Sequence, residues 1–241
     1  MAVITQVTLK VLPSPESSAF LYCDLPGLDF AEQRLAALVN SEVTPAAVEL
    51  LAGPIWREDP AFSELEGAAF GRLVVGFEGA ESEVTWMQRQ LAEEWRNQNV
   101  SSERVEAERV EELWRRLAEF PACPGSLVVK ASVLPAAVAQ FVGLSRQIDG
   151  NVSIQAHAGN GIVIARFGDL PPESASKTLI SQLQPAAANA EGSAVVLSYP
   201  EGMELTQQAI WGGAADSAAV MRAVKEKFDP KGLMNPGRFV F

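Results

Sequence analysis

One order of elements is legible twice in this chain, and it limits the possible folds more than any single motif. In the first pass, Phe20-Leu21-Tyr22-Cys23 reads as a strand, and an amphipathic helix follows over Phe30 to Val39. Val48-Glu49-Leu50-Leu51 and Leu73-Val74-Val75-Gly76-Phe77 read as the next two strands. The helix after them carries Val84, Met87, Leu91 and Trp95 at steps of 3, 4 and 4, one buried stripe. Val100 to Val105 closes the unit as a sixth element. A connecting helix with Val110, Leu113, Trp114 and Leu117 on one side leads to Pro121-Ala122-Cys123-Pro124-Gly125, which breaks the chain. The order then recurs. Leu127 to Leu134 is a strand, Val138, Phe141, Val142 and Ser145 form a helix face, and Val152–Gln155 and Ile162–Ala165 are strands. A helix over Ser174 to Ala188 and the strand Ala194–Leu197 complete it.

Strand, helix, strand, strand, helix, strand is the split βαβ arrangement. The expectation is an α+β fold of two ferredoxin-like (βαββαβ) halves, sharing an antiparallel sheet with helices on one side. Residues 1–120 hold the first half and connecting helix, 121–200 the second half, and 201–241 a C-terminal helix and tail. The halves share pattern, not residue identity. Alternation of Val3, Thr5, Val7, Leu9 and Val11 predicts a further strand at the start. A chain that opens inside a strand, with no signal-peptide pattern, is expected to lack a leader and to be cut from something longer.

The net charge of −11 argues against nucleic acid, which requires a basic surface. No apolar run approaches the ~18 residues of a membrane span. Cys23 and Cys123 are too few for a disulfide framework or zinc knuckle, and reduced, buried thiols in a cytoplasmic protein are expected.

Phosphate-cradling loops of the GxxxxGK[ST] or GxGxxG kind are absent, as are HExxH and GxSxG. With His157 the single histidine, nucleophile–histidine pairs could form only there, and a zinc site with several imidazoles is impossible within one chain. His157 precedes Ala158-Gly159-Asn160-Gly161, where Asn-Gly between apolar runs signals a hairpin because both residues tolerate positive φ. There it is a sheet histidine or a polar group aimed at a ligand, able to act as acid, base or donor to an anion. Near the end, Asp216 is an N-cap candidate, Val220, Met221, Val224 and Phe228 form a helical stripe, and Asp229-Pro230 stops the helix.

The closing stretch Phe228-Asp229-Pro230-Lys231-Gly232-Leu233-Met234-Asn235-Pro236-Gly237-Arg238 is similar to the FDPxGxxNPG motif of FAD-linked oxidases of the vanillyl-alcohol oxidase type. Trp211-Gly212-Gly213 and the helix before the motif resemble the E subunit of glycolate oxidase, and Val3 to Pro13 resembles the point where that family leaves its FAD domain. The resemblance covers the C-terminal half of such an enzyme, the part that caps the flavin and shapes the substrate pocket. It implies FAD held mostly by an N-terminal domain, a small 2-hydroxy-acid substrate, and electrons leaving to an iron–sulfur or second flavin subunit. It gives Asn235, Gly237 and Arg238 cofactor-facing roles and His157 a catalytic one. Several relatives carry a metal motif GHxGDGNxH; here Asn160, Ile162 and Ile164 replace the Asp, Asn and His, so no metal is expected. Without the cofactor domain the isolated chain is expected to be inactive. The alternative reading is a non-catalytic assembly domain of an oxidase complex.

Overall fold

A computed structural model of the chain describes residues 4–11, 13–63, 70–122, 125–213 and 218–236. Among these, eight strands form one antiparallel sheet: β1 (Ser17–Leu25), β2 (Ala47–Ala52), β3 (Gly71–Gly79), β4 (Glu103–Arg104), β5 (Leu127–Ser132), β6 (Ser153–His157), β7 (Ile162–Phe167) and β8 (Ser193–Ser198). The helices are α1 (Leu28–Val39), α2 (Pro54–Arg57), α3 (Glu81–Asn97), α4 (Ala107–Glu119), α5 (Val138–Ile148), α6 (Pro172–Thr178), α7 (Gln184–Asn189), α8 (Gln207–Trp211) and α9 (Ala218–Phe228).

The strand order is β4-β1-β3-β2-β6-β7-β5-β8. Each half therefore has the same connectivity and the same internal order, first strand beside third, and the halves meet edge to edge where β2 pairs antiparallel with β6.

Strand alternation sends successive side chains to opposite faces. Leu21, Cys23 and Leu25 of β1 enter the larger core with Val84, Met87, Leu91 and Trp95 of α3 and Val138, Phe141 and Val142 of α5. Burying each of these large side chains is worth about 1.5–3 kcal/mol. Burial also pushes the Cys23 thiol up to about 12, so it is an unreactive packing group; Cys123 lies outside the described residues. Phe20 and Tyr22 face the other way, toward Val110, Leu113 and Leu117 of α4. The helices thus lie mainly on one side, and α4 crosses the other. Asp59 pins it, taking Arg116 Nε at 2.6 Å and a terminal nitrogen of the same guanidinium at 2.8 Å.

Three expectations change. Residues 4–11 form no strand: Ile4, Val7, Leu9 and Val11 are 63–79% exposed, and alternation alone cannot hold a strand that has no neighbour to pair with. Val100 to Val105 contributes only the two residues of β4. The helix over 174–188 is interrupted by a π-helical stretch, Leu179–Leu183. Pro185, just beyond it, lacks the N–H a regular turn needs and crowds the preceding carbonyl. The predicted closing helix is present as α9, with Val220, Met221, Val224 and Phe228 on it 42–65% exposed. Asp216 lies outside the described residues.

Candidate functional site

The site follows from strand register. On the sheet face that α4 covers only in part, one row across the strands reads Val74, Glu49, His157, Ile162 and Ser132. The next row reads Arg72, Leu51, Gln155, Ile164 and Lys130. Polar groups from β2, β6 and β5 therefore converge around the line where the two halves join.

Glu49 Oε1 lies 2.7 Å from His157 Nδ1. The carboxylate's other oxygen accepts a hydrogen bond from Gln155 Nε2 at 3.3 Å. Glu49 is 4% exposed and Gln155 fully buried, whereas a third of the His157 side chain is open to solvent. The imidazole is raised above its ordinary pKa, chiefly by the hydrogen bond it donates to Glu49; burial and the Lys130 ammonium pull the other way. Glu49 is also raised, because its burial outweighs the help His157 gives to its charged form. Gln155 Oε1, though buried, has no hydrogen-bond partner among the described residues.

The predicted hairpin is present, but its turn differs. His157 pairs with Ile162, the Asn160 N–H donates to the His157 carbonyl at 3.0 Å, and only Gly161 takes a positive φ, +70°. This is a four-residue loop built round an ordinary turn, not a two-residue Asn-Gly turn. Ile162 and Ile164 lie on the same face as His157, so the positions that hold ligands in the metal motif carry apolar side chains here. Among the described residues no group of three His, Cys, Asp or Glu could hold a metal ion.

The tail forms a second locus. Asp229 accepts from the Leu233 N–H at 2.9 Å and the Met234 N–H at 2.8 Å, and pairs with Lys225. Those contacts, Lys225 first, hold its carboxyl down at about 2. Lys225 Nζ also reaches the Met234 carbonyl at 2.6 Å, Gly232 takes φ +64°, and Asn235 sits left-handed at φ +48°. The carboxylate thus organises the turn that presents Asn235. Gly237 and Arg238 lie outside the described residues, and no hydrogen bond joins Asn235 to the Glu49–His157 cluster among those described.

Glu49 was missed from sequence because its partner is 108 residues away and it sat inside a run that reads only as a strand. A carboxylate between apolar neighbours at an inward strand position was the available signal.

Residues 211–239 match the sequence profile of FAD linked oxidases, C-terminal domain. Glycolate oxidase subunit GlcD of Escherichia coli K12 is 25% identical over 99% of this chain and 51% of its own length. A probable mitochondrial D-lactate dehydrogenase of Danio rerio is 24% identical over the same shares, 99% and 51%. The chain spans about half the length of these curated relatives. A solved alkyldihydroxyacetonephosphate synthase is similar with TM-score 0.49 and 14% identity, over 92% of this chain and 44% of that one. No helix among the described residues is long and apolar enough to cross a membrane. The closing segment is thus similar to the C-terminal domain of FAD linked oxidases, and nearly the whole chain is similar to about half of each of these two relatives.

Proposed function

We propose that this chain is the substrate-facing cap of an FAD-dependent 2-hydroxy-acid oxidoreductase, the cofactor being held mostly by a separate FAD-binding domain. The observation that carries the reading is the paired, half-open imidazole of His157 on a sheet face whose neighbours are apolar Ile162 and Ile164. The residues fit the reactive end of such a cofactor and its substrate: an exposed imidazole edge, a cation at Lys130, and the buried Gln155 Oε1. They do not form a phosphate cradle, consistent with a dinucleotide held elsewhere. When bound, FAD would supply a hydride acceptor for the substrate α-carbon.

His157 Nε2 takes the substrate hydroxyl proton as general base, a role suited to an imidazole whose proton affinity a carboxylate partner raises. Lys130 offers its charge to the substrate carboxylate. Ile162 and Ile164 keep water from the reacting carbon. By resemblance Asn235, Gly237 and Arg238 face the cofactor, with Asn235 delivered by the Asp229-organised turn. The exposed stripe of α9 gives that turn a surface with which to seat on the cofactor domain. A further subunit carrying an iron–sulfur centre or second flavin would receive the electrons.

The test is to isolate the native assembly through a tag on this chain and to measure dye reduction with glycolate and with D-lactate. Substrate-dependent reduction, abolished in His157→Ala and accompanied by acid-releasable FAD, is the expected result. An assembly with no FAD, or one whose oxidation is untouched in His157→Ala, would overturn the reading and favour a purely assembling role.

A further inference from the structure

We infer that Glu49 is the positioning residue for His157, holding the ring with Nδ1 protonated and Nε2 turned to the open face of the sheet. This rests on reading His157 as the acid–base group of the site and adds a second residue to it.

The geometry leaves little freedom. Glu49 and His157 are direct partners in the β2–β6 register, so their side chains leave the sheet together on one face. The contact is 2.7 Å, and an ionised carboxylate can only accept; the proton between them therefore belongs to Nδ1. In the neutral ring this leaves the lone pair on Nε2, which has no hydrogen-bond partner among the described residues, on a side chain one third open to solvent. The carboxylate is itself held, with Gln155 on its second oxygen and 4% exposure. Of the other groups on this face, Lys130 from β5 is the cation whose charge acts on the ring, Arg72 lies further along β3 and pairs with Asp24, and β7 and β3 contribute Ile162, Ile164 and Val74.

Stability does not account for this arrangement. Replacing both members of a buried charged pair by apolar residues of similar volume is commonly neutral or stabilising. Leucine at 49 would extend the apolar surface of Leu51 and Val74. Burying a carboxylate there yields something packing does not, a fixed tautomer and a tuned proton affinity. This is how a carboxylate behind a catalytic imidazole acts in general.

His157 is the chain's single histidine, so its ring nitrogens can be observed by 15N NMR without assignment. In the wild-type chain the neutral ring is expected to be the Nδ1–H tautomer. Glu49→Gln keeps an acceptor but removes the charge: the tautomer persists while the His157 pKa falls. Glu49→Leu removes both, so the pKa falls and Nδ1–H is lost as the dominant tautomer. If Glu49→Leu fails to fold, Glu49→Gln still separates charge from acceptor; if Glu49→Gln fails, the tautomer and pKa in Glu49→Leu still test the role. In the native assembly, Glu49→Gln shifts the acidic limb of the kcat/KM profile to lower pH, and Glu49→Leu lowers kcat more than it raises KM. A His157 pKa and tautomer unchanged in both variants would overturn the role of Glu49. If the NMR changes occur but the assembly oxidises neither glycolate nor D-lactate, Glu49 keeps its role and the proposed function fails instead.

Discussion

Gly161 and Gly159 stand two residues apart in the loop after His157, yet the structure assigns them unequal importance. Gly161 has φ +70°, and a Cβ there would lie 1.9 Å from the Val133 carbonyl oxygen, a backbone atom that cannot swing away. Gly159 is free of positive φ, and a Cβ on it would meet nothing within 4 Å. For Gly161→Ala, a left-handed alanine costs about 1–2 kcal/mol. Separating the two chains also strains the 2.7 Å bond from the Val133 N–H to the Gly161 carbonyl, worth about 0.5–1.5 kcal/mol. Together these give about 1.5–3.5 kcal/mol of destabilisation, or roughly 3–14 °C in Tm for a chain of this size. Gly159→Ala should stay within about 0.5 kcal/mol of wild type. Urea unfolding of both variants, with the His157 resonance recorded in each, tests the pair. Gly161→Ala should move that resonance as well, because Ile162, the partner of His157, follows directly. Equal destabilisation by the two changes would show that the close approach of this loop to Val133 is wrong.

His157→Ala should destabilise the chain by about 1–3 kcal/mol, because it strips a buried carboxylate of its main partner. Since the folded His157 pKa is raised, the pair's contribution is complete below the unfolded value of about 6.5 and is lost as pH rises through the folded pKa. Urea melts should therefore show a larger cost at about pH 6 than at about pH 9, and equal costs would contradict the pairing. Asp229→Ala should abolish hydrogen-exchange protection of the Leu233 and Met234 amides; in the wild type that protection, present above the ordinary aspartate range, should fail only as pH drops through about 2. Asn235→Ala should barely change the melting temperature of the isolated chain but weaken FAD retention in the native assembly, and the reverse result would make Asn235 a structural turn residue. Elemental analysis after dialysis should find no stoichiometric zinc; one tightly held ion, lost in His157→Ala, would refute the argument from Ile162 and Ile164.

Much of the scaffold was legible because periodicity reports burial. The α3 stripe of Val84, Met87, Leu91 and Trp95, and the α5 set of Val138, Phe141, Val142 and Ser145, are all buried. Local pattern carries no information on whether a partner exists, so the alternation at Val7, Leu9 and Val11 was read as a strand that residues 4–11 do not form. Proline chemistry at Pro185 was visible but outweighed by the surrounding helix formers. Within the site, His157 stood out by being alone. Glu49 and Lys130 did not, since their importance depends on which strands lie side by side. The π-helical stretch and the path of α4 across the second face are likewise products of packing.

The β2–β6 junction makes the Glu49–His157 contact a property of neither half. The first half brings the acid and the second the imidazole, and a slip of one residue in their pairing would turn both side chains to the opposite face. A chain that has folded one unit, or docked two in the wrong register, would hold every residue of the cluster and none of its proton affinity. The titration of one imidazole is thus an assay of completed assembly. It also predicts how the fold tolerates change: substitutions that loosen the junction should alter the chemistry before they alter the melting temperature.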